Sequence, residues 1–334
     1  MDGIGSRKRQ SGISVIEVMI AMLLGVFLLG SIVQFFAQTR QSNRVHEATA
    51  RMQETGRMAL EVLSRDVRMA DFWGCASDIV NIVNNLNPAN AGFVDYESGG
   101  INGVEGGPGA SDTLILRGGF GTGLMVEPPF GPQASANLKV AAGNSLNQGD
   151  ILLVSDCVQG DIFQVSNANP GGSGSIVHNT GSVTYPGNYN ATNPGCPGAN
   201  AHCLSKVYGA DASVFQVQQI TYSVGAGFHG EPALFRNGIE FLEGVEELQV
   251  LYGEDTDAAG SAGAGIANYY VPADEVVDME RVVGLRIAVV TRSSHDNLVP
   301  DANQYFSVFG AAQAGGDSRI RRVYETTVNI HNRQ

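Results

Sequence analysis

Charged and aromatic side chains are scarce in this chain of 334 residues, at 16% and 7% of the sequence. Glycine is abundant instead, with 43 residues, which favours a loop-rich β protein over a compact helical one. The charge that is present is acidic, with a formal net charge of −13. This balance argues against duplex nucleic acid as a main partner, because DNA binding depends on clustered basic side chains.

Motifs of catalysis and cofactor binding are also missing. The sequence contains no G-x-S-x-G elbow, P-loop, G-x-G-x-x-G or H-E-x-x-H pattern. Its six histidines are scattered, and none is four residues from another. We therefore predict neither an enzymatic activity nor a cofactor.

One acidic loop, residues 253–260, bears comparison with a calcium loop. Such a loop needs oxygen ligands at alternate positions and a closing bidentate Glu. Asp255 and Asp257 fit the first two ligand positions, but Ala259 occupies the third and no acid closes the loop. The sequence favours a solvated acidic turn, with Asp255 and Asp257 as a weak calcium candidate and no other metal site.

Four cysteines, Cys75, Cys157, Cys196 and Cys203, all follow the apolar run described next. An even number outside the membrane predicts disulfides in an oxidising compartment, with three possible connectivities. Cys196 and Cys203 are close enough in sequence to close a short loop, which would leave Cys75 for Cys157. Metal binding is the alternative because His202 adjoins Cys203, although the spacing matches no zinc pattern.

Residues 13–36 form an apolar run of about 24 residues, and about 20 suffice for a helix to cross a bilayer. The run is longer than the apolar core of a cleaved secretory signal, and no A-x-A-like site follows it. Arg7, Lys8 and Arg9 precede it. Basic residues mark the retained end of a membrane segment, so we expect a single-pass protein with a cytoplasmic N-terminus.

Glu17 lies inside this apolar run, where an ionised carboxylate costs on the order of 3 kcal/mol. One interpretation is that Glu17 lies near the interface and reaches water. The other is that the carboxylate has a cationic partner at the same depth.

The residues around Glu17 favour the second interpretation. Basic residues, then Gly12, then Ile13-Ser14-Val15-Ile16-Glu17, resemble the processing signal of the type IV prepilin family. The resemblance implies cleavage between Gly12 and Ile13 by a prepilin peptidase, followed by N-methylation of Ile13. It also implies that Glu17 meets the terminal amine of a neighbouring subunit during assembly. Ile13 and Ser14 replace the commoner Phe and Thr.

Helical periodicity continues beyond the membrane, and no proline interrupts residues 13–70. We expect one helix of about 58 residues and 87 Å, softened by Gly25, Gly30 and Gly56, whose outer half is amphipathic. Strands are predicted at 113–117, 151–154, 162–165, 214–223, 245–252, 282–291 and 322–330. Residues 84–110 and 167–200 are predicted to be loops of low order.

Together these patterns predict an α+β, pilin-like fold, in which a long N-terminal helix packs on a large antiparallel β-rich head. The expected organisation is a leader at 1–12, a transmembrane helix at 13–36, its amphipathic continuation at 37–75 and an extracytoplasmic head at 76–334.

The C-terminal third resembles the PilW family of minor pilins. The resemblance rests on FRNG at 235–238, EGVEELQVLY at 243–252, VGLRI at 283–287 and RVYETTVNI at 322–330. It implies a minor pilin of the inner membrane, with a periplasmic head, that joins other minor pilins and the major pilin. Such a subunit would initiate pilus assembly and reach the cell surface at the pilus tip. The alternatives are a J-type pseudopilin of a type II secretion system and a tip adhesin.

Overall fold

A helix and two β-sheets form the body of the protein. The computed structural model describes residues 12, 14–74, 81–107, 109–131, 135–180, 185–189, 203–299 and 304–333. Helix α1 spans Val15–Met69, which is 55 residues, or about 82 Å. The predicted long helix is confirmed, and its last residue lies one position before the predicted end at Ala70. A short turn of α-helix, α2 at Pro170–Ser173, lies in the described part of the head.

The first sheet has eight strands, six of them in the order β1-β6-β5-β8-β3-β2, while β9 pairs with β8 and β10 pairs with β9. Its pairs are antiparallel except for β1 and β6. The bounds are β1 Ile82–Asn84, β2 Ile101–Val104, β3 Thr113–Met125, β4 Asn137–Lys139, β5 Ile151–Ser155, β6 Gly160–Gln164, β7 Ser175–Val177, β8 Ser213–Ala226, β9 Pro232–Arg236 and β10 Ile239–Glu243. Strands β4 and β7 form a separate pair.

The second sheet is antiparallel, has four strands in the order β12-β11-β13-β16, and carries α1. Its strands and the β14–β15 hairpin beside it have the bounds β11 Val245–Glu254, β12 Tyr269–Val271, β13 Val282–Arg292, β14 Tyr305–Val308, β15 Ala311–Ala314 and β16 Arg321–Asn329. The predicted α+β fold, with a helix packed on a β-rich head, is confirmed.

One hydrophobic core joins the helix to both sheets. Ala59, Leu63 and Val67 of α1 are fully buried in it. Leu116 of β3 and Leu285 of β13 face them from the two sheets. These helix residues recur at steps of four, so they form one apolar stripe, as the amphipathic pattern predicts. The outer half of α1 is therefore part of the core of the head.

At Gly56 the helix lies directly against the second sheet. A Cβ atom added to Gly56 would overlap the ring of Tyr324 on β16, with Cγ only 2.8 Å away. This contact gives Gly56 a role in packing, and the expectation that it softens the helix stays a prediction. α1 is continuous through Gly56, and the missing side chain admits the tyrosine ring.

The two segments predicted to be loops of low order contain regular structure. Residues 84–110 include β2 and a turn of 3-10 helix at Tyr96–Ser98, and residues 167–200 include α2 and β7. Each strand there has only three or four residues, and Gly and Asn interrupt the alternation that identifies a strand. Residues 190–200 lie outside the described part of the chain.

We expect Gly56→Ala to destabilise the head by about 1–3 kcal/mol, because the new methyl group must displace the Tyr324 ring. In a Tyr324→Leu background the same change should be neutral or stabilising, since Ala is the better helix former by about 1 kcal/mol. Chemical denaturation of the four variants in detergent measures this coupling. Equal effects of Gly56→Ala in both backgrounds would contradict the packing account.

Candidate functional site: an exposed apolar helix seated on the head

The first half of α1 protrudes from the head. Every residue from Val15 to Phe36 is exposed or nearly so, and the most apolar 18-residue window has a mean hydropathy of 2.5 with 0% of it buried. This helix is long and apolar enough to span a membrane. The Ser31 hydroxyl in this stretch has a hydrogen-bond partner within the helix, because it donates to the Phe27 carbonyl oxygen at 2.9 Å.

Glu17 lies in the first turn of α1 and its side chain is exposed. Among the described residues it has no hydrogen-bond or ion-pair partner. The helix N-terminus itself favours an acidic side chain in the first turn. That dipole is the only favourable field that the described part of one chain offers to this carboxylate. Gly12 is exposed just before the helix, and Ile13 lies outside the described residues.

A polar segment of α1 at residues 37–47, which we call the stem, separates the apolar half of the helix from the head. Arg40 and Arg44 are exposed, and they are the only Lys, Arg, Asp or Glu residues between Glu17 and Glu47. The stem first meets the head at Gln41, whose side-chain nitrogen donates to the Asn297 carbonyl oxygen at 3.0 Å. Arg292, at the end of β13, also lies on this side, beside the Ala48–Met58 part of the helix. This end of the head is therefore the one that faces the apolar half of α1.

A buried polar contact fixes the outer half of α1 on the first sheet. The Asp66 carboxylate accepts from the Tyr222 hydroxyl at 2.6 Å and from the Arg236 guanidinium at 3.0 Å. Burial is the largest cause that raises the pKa of the Tyr222 hydroxyl, and the bond to Asp66 adds to it. Tyr222 therefore stays protonated and keeps donating. An unpaired Asp66 would be costly here, so this contact specifies the rotation of the helix.

A second buried contact holds the end of α1. Asp71 adopts a left-handed conformation with φ of 60°, which ends the helix. Its carboxylate accepts from the Trp73 indole nitrogen at 2.7 Å and from the Gly100 backbone nitrogen at 2.9 Å. It also forms an ion pair with Arg333, and both side chains are at most 10% exposed. The C-terminal residues therefore clamp the exit of the helix.

An ion network closes the opposite end of the second sheet. Arg321 donates to Glu246 at 2.6 Å and to Asp317 at 2.6 Å. Arg292 bonds Glu246 and Glu231 at 3.1 and 2.8 Å. The hydrogen bonds from Arg321 hold the pKa of Asp317 below its usual range.

The comparisons with known proteins concern the head. Residues 221–332 match the model of the family PilW, described as Type IV Pilus-assembly protein W. We call residues 221–332 the PilW segment, after the model that they match. No curated protein and no solved structure matches the chain.

The PilW segment contains much of the surface on which α1 packs. It includes all four strands of the second sheet, and it also supplies Tyr222, Arg236 and Tyr324, which contact α1. Sequence reasoning placed the main strands of this segment correctly. It missed the contacts of Asp66 and Asp71, because an acid on an amphipathic helix looks the same whether its partner is water or a distant arginine.

Two of the four cysteines that the sequence predicts to form disulfides lie among the described residues. Cys157 and Cys203 each take part in a disulfide, and the described residues include no free cysteine. Cys75 and Cys196 lie outside the described residues, so the pairing stays a prediction.

In the acidic loop, the Asp255 carboxylate accepts from the backbone nitrogens of Asp257 and Gly265 at 2.9 and 2.7 Å. The Asp257 side chain accepts from Asn268 at 3.2 Å. These carboxylates brace their own loop. Within the described ranges, no group of three or more His, Cys, Asp or Glu residues is arranged to hold a metal ion.

We expect Arg333→Ala to lower the free energy of unfolding by about 3 kcal/mol, because it leaves the buried Asp71 carboxylate without its cation. The matched control is Arg322→Ala, which removes an exposed arginine from β16 and should change stability by less than about 0.5 kcal/mol. Thermal unfolding of the full chain in detergent compares them. Similar effects of the two changes would rule out the proposed clamp.

Acid should weaken the ion network. A carboxylate with a depressed pKa stabilises the fold above its unfolded pKa of about 3.9, and this contribution is lost as the pH falls through the folded value. Asp317→Asn should therefore cost about 1–2 kcal/mol at pH 6 and progressively less below about pH 4. Urea unfolding at several pH values tests this, with the exposed Asp211→Asn as control. A pH-independent cost of Asp317→Asn would contradict it.

Proposed function

We propose that this protein is a minor pilin of the type IV pilus. The observation that carries the proposal is the continuity of α1, which is exposed and apolar over residues 15–36 and then built into the core of a head that carries a PilW segment. A helix of this kind couples a membrane anchor rigidly to an extracytoplasmic domain. The family description supports a role in pilus assembly.

In this proposal, prepilin peptidase cuts between Gly12 and Ile13, and Ile13 is then N-methylated. The mature chain stays in the inner membrane by residues 13–36, with its N-terminus at the cytoplasmic side and its head in the periplasm. The disulfide-bonded state of Cys157 and Cys203 fits an oxidising compartment.

Glu17 then provides the assembly contact. A carboxylate and a terminal amine are each costly in hydrocarbon, and each neutralises the other only when two subunits are in the correct axial register. The absence of a partner for Glu17 among the described residues of its own chain is what this role requires. The subunit would join other minor pilins and the major pilin, initiate the pilus and remain at its tip.

We expect Glu17→Ala to leave cleavage and membrane insertion intact but to reduce surface pili at least tenfold. The reason is that the amine of the neighbouring subunit loses its counter-charge. Pili are scored by shearing and immunoblotting, and the processed chain is scored in membrane fractions. Glu47→Ala is the matched control, because Glu47 is exposed on the same helix outside the apolar run and pairs only with Arg51.

The same assay in a strain with blocked retraction distinguishes a role in priming assembly from a structural requirement for the pilus. If pili return when retraction is blocked in the absence of this chain, the chain primes assembly. Normal piliation and normal co-assembly of the Glu17→Ala protein would refute the proposed role of Glu17.

A further inference from the structure

Two neighbouring depressions run beside α1 on the flank that faces the β9–β10 hairpin. The larger is a groove of about 400 Å³ along the Ala48–Met58 part of the helix, and the smaller, of about 320 Å³, lies beside Val62 and Arg65. Phe241 of β10 lines both. Together they follow α1 from Ala48 to Arg65, a rise of about 26 Å or nearly five helical turns. We call the two depressions the flank groove.

The floor of the flank groove is apolar, and its rim holds an unpaired acid. Met52 and Leu242 form part of the floor, and Met58 is 46% exposed above it. Two of the rim charges are already paired, Arg51 with Glu47 and Arg292 with Glu231. Glu54 is exposed and has no hydrogen-bond or ion-pair partner among the described residues. The larger depression, whose lining also holds Glu243, therefore suits an apolar rod that carries a positive charge. In the smaller depression Arg65 and Arg236 are already paired with Asp66.

The same face of α1 continues into the apolar half. Five turns of helix contain 18 residues, so a residue and the one 18 positions earlier share a face. Ala48 therefore shares a helix face with Gly30, and Met52 shares one with Gln34 and Ile16. Small residues such as Gly30 allow close helix packing in a membrane. A second helix that packs on this face in the bilayer is therefore directed into the flank groove when it leaves the bilayer.

The stem of a pilin-like helix has the chemistry that the groove accepts. In this chain the stem carries Arg40 and Arg44 directly after the apolar run, and no acid lies between Glu17 and Glu47. A parallel neighbour displaced away from the membrane by 10 to 14 residues would bring such an arginine level with Glu54. That displacement is about 15–21 Å along the axis.

We propose that the flank groove receives the basic stem of a neighbouring pilin-like subunit, whose arginine pairs with Glu54. The inference rests on the proposed function in pilus assembly and adds to it a docking surface on the head. The stem packs over Met52, Met58 and Phe241, while its arginine remains at the rim.

The test is site-specific photo-crosslinking in cells that display pili. A photoreactive phenylalanine analogue replaces Met58, and the crosslinked peptide is identified by mass spectrometry. The expected product joins position 58 to a pilin-like subunit within the ten or so residues that follow its apolar run. Met69 is the matched control site, because it is equally exposed, at 46%, on the same helix and lines neither depression.

Charge reversal tests the role of Glu54. Glu54→Arg should lower the yield of the product at position 58 at least fivefold, whereas Glu61→Arg, which reverses an exposed acid outside the groove, should leave it unchanged. Equal yields at positions 58 and 69 overturn the proposal. A product that maps to another head, or no effect of Glu54→Arg, also overturns it.

The docking surface and the proposed function can fail independently of each other. If deletion of the chain abolishes pili while position 58 gives no stem product, the docking surface is wrong and the pilus role stands. If pili form normally without the chain, the pilus role fails.

Discussion

The packing of the outer half of α1 on both sheets is the constraint on which the rest of the structure depends. Gly56 admits the Tyr324 ring, Asp66 binds Tyr222 and Arg236, and Asp71 binds Arg333. The first contact sets how closely the helix approaches the sheet. The two polar contacts set its rotation and its end, because either acid would be buried without a counter-charge in any other arrangement.

This rigid attachment fixes how the exposed half of α1 is oriented relative to the head. An apolar surface of more than 20 residues cannot face water, so it requires a bilayer or other apolar helices. Since the helix cannot rotate relative to the head, the face that meets a neighbour in the membrane also determines which side of the head meets that neighbour. The flank groove lies above one such face. Glu17 and Glu54 would then contact two different neighbours, because the Ile13 amine is level with Glu17 after a shift of four residues, whereas Arg44 is level with Glu54 after a shift of ten.

The sequence predicted the parts of this arrangement that depend on periodicity. The long helix, its amphipathic stripe and the seven main strands were all visible as repeats of apolar residues. The other nine strands in the described part of the chain were missed because each has only three to five residues, so it shows little alternation, and β2 also contains Asn and Gly. The packing role of Gly56 was not visible, because a helical glycine indicates flexibility in sequence and only the position of Tyr324 reveals the close contact. The long-range partners of Asp66 and Asp71 leave no local pattern.

The central claim is that this chain is a processed pilin-type subunit whose apolar helix begins at a new N-terminus. Intact-mass and N-terminal peptide mass spectrometry of the chain purified from membranes tests it most directly. The account predicts a mature chain that begins at Ile13 and carries one extra methyl group on its terminal amine. A chain that retains residues 1–12, or that begins at Ile13 without the methyl group in cells with an active prepilin peptidase, would contradict it.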